Sequence, residues 1–347
     1  MKDPLFIGVD VGTTAVKAAA FTEQGVRVAE ARRDVLVRRD HEGWSELPME
    51  EVWEATLACL KGVVAKVDAD AVQSIGVCAQ GDGLWMLDAD LQPVRNAILW
   101  NDARASDYIT EWAEDGTSDL ISQYCRTAIW PGASGPALRW VQDNEPEAFA
   151  RVAHIFHAKD WIVWKLTGTI GTDFSDATIP FLDLDAELYA PEVFAALGLP
   201  DLTDRLPAPV PSTSLAGPLT ADLGLPKVPV ARGSSDVVSM MTGLGISAPG
   251  ALCLILGTTA VVTYIMPPEP FIDPPLGATL HHPFTSDWIR GLAPQSGASA
   301  LDWFASLHPN SFGGEDAAEI ARKINEAAID VPPGSNGVLF LPFLTGE

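Results

Sequence analysis

The segment GVDVGTTAVK, residues 8–17, combines the end of an apolar strand, a Gly-Thr-Thr turn and the start of a second strand. The apolar run at 5–11 predicts a short strand, and residues 15–22 predict its hairpin partner. A second turn at 23–25 leads into a predicted third strand at 26–37. The chain therefore begins with a predicted three-stranded meander.

A helix and a further strand follow the meander. Residues 47–51, Leu-Pro-Met-Glu-Glu, predict a helix start, because proline fits a first helical turn and acidic side chains favour the positive end of the helix dipole. Residues 72–78 predict a buried strand. Three antiparallel strands, a helix and another strand are typical of the opening of the ribonuclease-H-like fold of actin, hexokinase and Hsp70. The expected fold class is therefore α/β.

The opening pattern recurs about one domain later. Residues 250–256 predict a strand, Gly257-Thr258-Thr259 a turn, and residues 260–266 a second strand. In this superfamily two such hairpins face one another and clamp a nucleotide. We expect two ribonuclease-H-like domains with a nucleotide cleft between them, spanning 1–246 and 247–347.

The middle of the chain is predicted less regularly. Residues 130–150 and 156–167 have the patterns of helices. Residues 174–211 interleave proline, aspartate and leucine, which predicts a loop-rich peripheral subdomain. Residues 228–231 predict a strand, and Gly233-Ser234-Ser235-Asp236 leads from it into a helix.

Bulk composition excludes several classes of protein. The 347 residues carry a formal net charge of -24, which argues against a nucleic-acid partner, because phosphate backbones need a positive face. Four dispersed cysteines without a CxxC pair indicate reduced thiols. No secretory signal follows Met1, and the apolar run 251–266 is too short to span a bilayer. We expect a soluble, cytoplasmic protein without membrane partners.

The first Gly-Thr-Thr turn has the composition of a phosphate site. Asp10 ends an apolar strand, where an unpaired carboxylate is costly, and Gly12 allows a ligand to approach the backbone. Tight-turn amides and threonine hydroxyls form a concavity that binds anions, and a nearby carboxylate suits a hydrated Mg²⁺. The alternative is an ordinary β-hairpin. The Gly257 turn follows the same logic and alone predicts only a turn.

Asp236 is the candidate general base. It lies at or near a predicted helix N-terminus, where the helix dipole favours the ionised form. Phosphoryl transfer suits a carboxylate base, because positioning and charge neutralisation lower most of the barrier. The alternative is a helix-capping role, which aspartate also fills well.

Two polar clusters at the ends of predicted strands suit a polyol. Gln80 and Asp82 follow the strand ending at Cys78, and Trp100 and Asp102 follow another apolar run. α/β folds place ligands at such strand ends, and amides and carboxylates bind hydroxyl groups. The alternative is a pair of solvated loops. The histidines have no cysteine or acid at metal-ligand spacing, so no zinc site is expected, and neither a Walker motif nor a nucleophile elbow occurs.

Together these motifs resemble those of FGGY carbohydrate kinases. The resemblance rests on seven segments in family order: GVDVGTTAVK, AQGDG, AILWNDAR, RGSSDVV, LILGTTAV, SGASALDW and the terminal LFLPFLTGE. It covers the whole chain and is strongest toward xylulose kinases, with AQGDGLWMLD and NAILWNDARA more similar to the L-xylulose and erythritol kinase branches. It implies an ATP-dependent kinase that phosphorylates a hydroxyl of a small ketose or polyol, with ATP and Mg²⁺ as cofactors.

The resemblance also implies roles for individual residues. Asp236 would be the general base and would contact substrate. Asp10 would lie near Mg²⁺ and the phosphates. Thr13, Thr14 and Lys17 would contact the β- and γ-phosphates. Gly257, Thr258 and Gly297 would contact the nucleotide. The sugar would be bound by Gln80, Asp82, Trp100 and Asp102. A homodimer is a further expectation.

Three departures from the family pattern matter. D-xylulose kinases carry a histidine in GQMHG where this chain has Asp82, which puts D-xylulose in doubt as substrate. Ala137 replaces a lysine of the family's first signature. The sequence ends at Glu347 inside a motif that normally continues, so we expect an incomplete second domain and little kinase activity from these residues alone.

Two alternatives to a sugar kinase remain. A non-catalytic sugar or nucleotide sensor could use the same fold, although Asp10, both Gly-Thr-Thr turns and Asp236 are retained. The second alternative is another actin-like protein, such as an acetate kinase or a chaperone ATPase. The polar cluster at Gln80 and Asp82 favours a polyol substrate instead.

Overall fold

The computed structural model describes residues 3–256, 260–269, 276–293, 296–314 and 316–341. Nineteen strands run through these residues: β1 Leu5–Val11, β2 Ala15–Thr22, β3 Arg27–Asp34, β4 Glu46–Leu47, β5 Val72–Ala79, β6 Trp85–Leu87, β7 Ala97–Ile98, β8 His154–Phe156, β9 Thr172–Asp173, β10 Leu182–Asp183, β11 Leu188–Tyr189, β12 Pro209–Val210, β13 Leu215–Pro218, β14 Pro229–Ala231, β15 Ser234–Ser235, β16 Leu252–Leu256, β17 Ala260–Met266, β18 Ala278–His281 and β19 Trp288–Leu292.

Twelve α-helices accompany the strands within the described ranges: α1 Met49–Val64, α2 Ser106–Asp115, α3 Thr117–Cys125, α4 Ser134–Asn144, α5 Pro146–Arg151, α6 Ala158–Thr167, α7 Phe174–Ala177, α8 Pro191–Ala196, α9 Asp236–Gly243, α10 Ser299–Leu307, α11 Pro309–Phe312 and α12 Ala317–Ala328. Among the residues covered by the structure, no helix is both long and apolar enough to cross a membrane.

The central sheet confirms the predicted meander. Its strand order is β13-β14-β5-β1-β2-β3, with β15 added beside β5. β1 pairs antiparallel with β2 and parallel with β5, as the meander, helix and strand of the sequence require. Helices α1 and α6 pack against the buried side chains of this sheet and form one core cluster with them. Their contribution includes Val52, Leu60, Trp161 and Leu166. This packing brings the carboxyl ends of β1, β5 and β15 to one edge of the sheet.

The predicted helix at 130–150 is wrong at its start and in its continuity. α4 begins only at Ser134, after a turn, and the helix breaks at Glu145 because Pro146 has no N–H group for an internal hydrogen bond. The predicted helix at 156–167 begins at Ala158, and the residues before it form β8, which pairs with β6. A second core cluster lies between these helices and α8. It includes buried side chains from the segment 174–211, which was predicted to be loop-rich.

A separate four-stranded sheet, in the order β16-β17-β19-β18, follows α9. Its first two strands confirm the predicted hairpin, while the Gly257-Thr258-Thr259 turn between them lies outside the described residues. The junction at residue 246 falls between the end of α9 and the start of β16, and it stays a prediction. The four cysteines are free.

Candidate active site

The first turn is tight and carries an ion pair. The Gly12 N–H donates to the carbonyl oxygen of Ala15 at 3.0 Å. In the antiparallel register Asp10 lies opposite Lys17, and the Lys17 Nζ atom is 3.1 Å from Asp10 Oδ2. Their side chains are 37% and 54% exposed, so both charges remain accessible to a ligand.

Thr13 joins the predicted phosphate turn to two predicted sugar residues. Its hydroxyl donates to Gln80 Oε1 at 2.9 Å and accepts from the Trp100 indole N–H at 3.0 Å. The backbone N–H of Gln80 donates to the carbonyl oxygen of Val11 at 2.9 Å, which fixes the loop beside the turn. Thr14 is exposed. Residues from three distant parts of the chain therefore converge at the end of β1.

Asp236 lies beside the same turn. Ser234 and Ser235 of β15 pair in parallel with Cys78 and Ala79 of β5, so the residue after β15 emerges next to the Gln80 loop. Ser235 occupies the N-cap position of α9, and Asp236 is the first helical residue. Ser235 therefore takes the capping position, and the Asp236 Oδ1 atom accepts a local hydrogen bond from the N–H of Val237 at 2.7 Å.

Burial raises the pKa of Asp236 to about 6, opposite to the effect expected from the helix dipole alone. The hydrogen bond from the Val237 N–H lowers this pKa, whereas the negative charge of Asp10 raises it further. Desolvation of the carboxylate outweighs the favourable helix terminus. A carboxyl group of this kind is mostly ionised at pH 7 yet more basic than an exposed aspartate.

Asp82 lies in a glycine-flanked loop close to Asp236. Its φ of 59° and the φ of 73° at Gly83 place two consecutive residues in the left-handed region. Burial raises the pKa of Asp82 to about 7, His157 opposes this increase, and the charges of Asp176 and Asp236 add to it. The Asp82 carboxyl group therefore interacts electrostatically with the candidate base and with a second group of titratable side chains.

Asp102 has a different environment from the other predicted sugar residues. Its carboxylate accepts from the backbone N–H of Ser45 at 2.6 Å and from the Arg104 guanidinium at 2.8 Å. The Asp102 side chain is 0% exposed. The Arg104 guanidinium also lies 3.8 Å from the centre of the Trp44 ring and contacts Glu46. In this conformation Asp102 orders the loop rather than presenting a free oxygen to the cleft.

A buried lysine beneath the site was not anticipated from the sequence. The Lys159 Nζ atom lies 2.9 Å from Asp160, 3.2 Å from Asp173 and 3.3 Å from Asp176, with a fully buried side chain. Burial alone would lower the pKa of Lys159, but the three carboxylates raise it overall. The available signal was a Lys-Asp pair at the start of α6, a helix that is otherwise mostly apolar and largely buried.

The lysine cluster supports the segment that carries Asp236. The backbone N–H of Ser235 donates to the Ser175 hydroxyl at 2.9 Å, and that hydroxyl donates to Asp173 Oδ2 at 2.7 Å. Asp173 in turn pairs with Lys159. A chain of hydrogen bonds thus runs from the buried ammonium group to the residue immediately before the candidate base.

One buried group of side chains has candidate metal-ligand atoms close together, although no zinc site was expected from the sequence. Candidate ligand atoms of His157, Asp160 and Asp176 lie within 4.8 Å of one another, although their spacing in the sequence gave no metal pattern. The Lys159 ammonium group contacts both carboxylates at this position. Because that cation already contacts both carboxylates that would bind the ion, the cluster does not fit a metal ion.

The nucleotide residues of the second hairpin are described only in part. Gly257 and Thr258 lie outside the described residues. Gly297 precedes α10, and its carbonyl oxygen accepts from the N–H of Ala300 at 3.0 Å. Its predicted role as a nucleotide contact stays a prediction.

The sequence matches a protein family model and several sugar kinases. The N-terminal domain model of the FGGY family of carbohydrate kinases matches residues 5–243. The chain is 32% identical to xylulose kinase from Klebsiella pneumoniae, with 99% of this chain and 70% of that protein covered. It is 29% identical to L-xylulose/3-keto-L-gulonate kinase from Escherichia coli (strain K12), with coverage of 99% and 69%.

The fold matches that of solved sugar kinases. The xylulose kinase from Rhodospirillum rubrum superposes with a TM-score of 0.89 at 24% identity, with 99% of this chain and 70% of that chain covered. At this identity the likeness concerns the fold, which is the expected actin- and hexokinase-like one. Together, the matched domain and the sequence relatives show that the chain belongs to the FGGY family of carbohydrate kinases.

Proposed function

We propose that this protein is an ATP-dependent kinase that phosphorylates a hydroxyl of a small ketose or polyol. The expected substrates are pentuloses such as L-xylulose or xylulose, or a short sugar alcohol such as erythritol. The observation that carries the proposal is the convergence at the end of β1. There Thr13 hydrogen-bonds both Gln80 and Trp100, and Asp236 lies within electrostatic reach of Asp10.

Asp236 is the proposed general base. Its raised pKa makes it a better proton acceptor than an exposed aspartate while leaving it mostly ionised at pH 7. In the reaction it accepts the proton of the attacking hydroxyl as the oxygen bonds to the γ-phosphorus of ATP and the bond to the β-γ bridging oxygen breaks. ADP leaves, and the phosphate ester forms on the sugar.

The first turn is the proposed phosphate and magnesium site. Asp10 fits Mg²⁺, because its carboxylate is exposed and Mg²⁺ binds one or two carboxylates while keeping several waters. When bound, the ion neutralises charge on the phosphates. Lys17, Thr13 and Thr14 are the proposed phosphate contacts, and because the Thr13 hydroxyl is already engaged, its contact would be through the backbone amide. Gly257, Thr258 and Gly297 are the proposed contacts of the second domain with the nucleotide.

Gln80, Asp82 and Trp100 are the proposed sugar contacts. Gln80 has a buried side-chain nitrogen without a hydrogen-bond partner, and the charge of Asp236 acts on the Asp82 carboxyl group. We assign Asp102 an indirect part, since it holds Arg104 and the Trp100 loop in place. We also propose a cytoplasmic protein that does not bind nucleic acid and forms a homodimer, with domains at 1–246 and 247–347.

An acceptor screen tests the proposal. Because these 347 residues alone are expected to have little kinase activity, the protein is used at the full length of its relatives. It is incubated with MgATP and a panel of D- and L-pentuloses, tetritols and pentitols, ADP release is measured, and binding of each sugar is measured by calorimetry without ATP. We expect one acceptor class to bind and to support ADP release. Sugar binding without ADP release in any condition would favour the non-catalytic sensor, and the absence of binding to the entire panel would contradict the proposal.

A further inference from the structure

Several buried polar atoms around the candidate sugar site have no hydrogen-bond partner within the described part of the chain. They are Gln80 Nε2, His157 Nε2, both carboxylate oxygens of Asp176 and the Ser235 hydroxyl. Buried polar atoms in folded proteins are nearly always hydrogen-bonded, so a local group of unsatisfied ones indicates a place where a ligand or water binds. Two of these residues, His157 and Asp176, have no role in the function proposed above.

His157 is held next to the Asp82 loop. The pairing of β8 with β6 sets Phe156 opposite Trp85, so His157 follows at the end where the Asp82 loop enters β6. The imidazole is 5% exposed. His157 is also the N-cap of α6: its ring accepts a hydrogen bond from the Asp160 N–H, and the Asp160 carboxylate accepts from the His157 N–H at 3.1 Å.

The capping bond determines which ring nitrogen faces the site. Because Nε2 has no partner, the atom that accepts the capping bond is Nδ1. A neutral imidazole with a lone pair on Nδ1 carries its proton on Nε2. Nε2 is therefore a fixed hydrogen-bond donor that lacks an acceptor.

An acceptor in the same buried group is Asp176. Neither of its carboxylate oxygens has a hydrogen-bond partner among the described residues, although Oδ2 lies 3.3 Å from the Lys159 ammonium group. One ring nitrogen of His157 and one carboxylate oxygen of Asp176 lie within 4.8 Å of one another. A hydroxyl group beside both side chains can accept from the Nε2–H group and donate to a carboxylate oxygen.

The order of the elements places Asp176 farther from the phosphate turn than Asp236. Strand β5 lies between β1, which carries Asp10, and β15, which leads into Asp236. The Ser235 N–H donates to the Ser175 hydroxyl at 2.9 Å, so the residue next to Asp176 lies beside β15. A sugar with its reacting hydroxyl at Asp236 would extend away from Asp10 toward Asp176.

We propose that His157 and Asp176 bind a hydroxyl of the sugar farther from Asp10 than the hydroxyl that is phosphorylated, and so select acceptors by that distal group. This inference rests on the proposed function and adds two specificity-determining residues to it. Loss of the distal hydroxyl leaves both side chains unsatisfied, which disfavours an acceptor that lacks it.

Equilibrium binding without ATP tests the inference. The probes are the sugar that binds best in the acceptor panel and its deoxy analogues, each lacking one hydroxyl. We expect the wild-type protein to bind one analogue at least about tenfold more weakly than the parent sugar. The ratio of the two dissociation constants, analogue over parent sugar, should fall to near one in His157→Leu. His157→Gln, which keeps a hydrogen-bond donor, should retain part of that ratio. His154→Leu is the matched control, because His154 lies three residues earlier on β8 and packs against Phe156.

The outcomes separate this inference from the proposed function. A wild-type protein that binds no sugar would overturn both. Equal binding of all deoxy analogues by the wild type would mean that the position holds water only, and would overturn the inference alone. An unchanged ratio in a folded His157→Leu or, if that variant does not fold, a full ratio in Asp176→Ala, which has no acceptor, would overturn it as well.

Discussion

At the scale of single residues, Asp236 shows how burial tunes a carboxylate. Its position at the start of α9 favours ionisation, but the desolvation of its side chain and the charge of Asp10 prevail and raise its pKa to about 6. A base that is deprotonated at pH 7 and has the highest pKa compatible with that state is the most effective one. The residue therefore has the electrostatic properties that proton acceptance requires.

This pKa predicts the pH dependence of activity. Only the carboxylate accepts a proton, so kcat/KM should increase with pH and level off above an apparent pKa of about 6, rather than near 4 as for an exposed aspartate. Asp236→Asn should reduce kcat roughly 10²–10⁴-fold with little change in ATP affinity. The control is Asp107→Asn, in the first turn of the exposed helix α2. Near-native kcat in folded Asp236→Asn would contradict the assignment.

Lys159 provides the residue-scale prediction for stability. Replacing it by methionine leaves three buried aspartates without their cation, and breaking a buried ion pair from one side costs about 3–5 kcal/mol. We expect Lys159→Met to lower the free energy of unfolding by that amount in urea denaturation followed by tryptophan fluorescence. Arg27→Met, which removes an exposed pair with Glu30, should change it by less than about 1 kcal/mol. Similar small changes in both variants would show that Lys159 is not needed to neutralise the cluster.

At the scale of elements, the short connection between β14 and β15 determines where Asp236 lies. Gly233 adopts a φ of 77°, and a Cβ atom there would lie 1.8 Å from the carbonyl oxygen of Val77 on β5. Its N–H donates to the carbonyl oxygen of Ser212 at 3.0 Å. The close contact of this loop with β5 is what brings Asp236 beside the end of β1, and only glycine permits it.

Gly233→Ala tests this requirement against a matched glycine. Gly224 has a similar φ of 70°, but nothing lies within 4 Å of its would-be Cβ atom. Gly224→Ala should cost only the left-handed strain of about 1–2 kcal/mol, whereas Gly233→Ala should add about 1–3 kcal/mol for the steric overlap. Gly233→Ala should also lower kcat, because the loop must move away from β5. Equal destabilisation and equal kcat in the two variants would show that the contact has no such effect.

At the scale of the whole molecule, the four-stranded sheet leaves an apolar face exposed. Leu252, Leu254 and Leu256 of β16 are 58%, 51% and 71% exposed, while Cys253 on the other face is buried. Within the described residues β16 pairs only with β17, so its outer edge is open. An open edge with apolar side chains favours association with another chain.

We therefore expect this chain to self-associate with increasing concentration. Sedimentation velocity should show an average mass above that of the 37.0 kDa monomer, and Leu254→Glu should shift it toward the monomer because a charge on the strand opposes pairing. Leu188→Glu, at an isolated exposed leucine on β11, serves as the control. A wild-type chain that stays monomeric, or an equal shift in both variants, would contradict this expectation.

The sequence by itself determined the fold class and the main participants of the site. The alternation and turns of residues 5–22 predicted β1 and β2 to the residue, because a short hairpin is specified by local contacts. The order of strands, glycine turns and acids then predicted the kinase family. Local patterns were less successful at 130–150, where the proline at 146 divides a run that has helical periodicity on both sides.

Only the tertiary structure decided how the participants are used. It paired Thr13 with Gln80 and Trp100, enclosed Asp102 with Arg104, and brought His157 and Asp176 to the site. These relations depend on contacts between residues far apart in the chain, for which local periodicity contains no signal. The shift in the pKa of Asp236 likewise depends on burial by those contacts, because desolvation is a property of the folded protein and not of the sequence position.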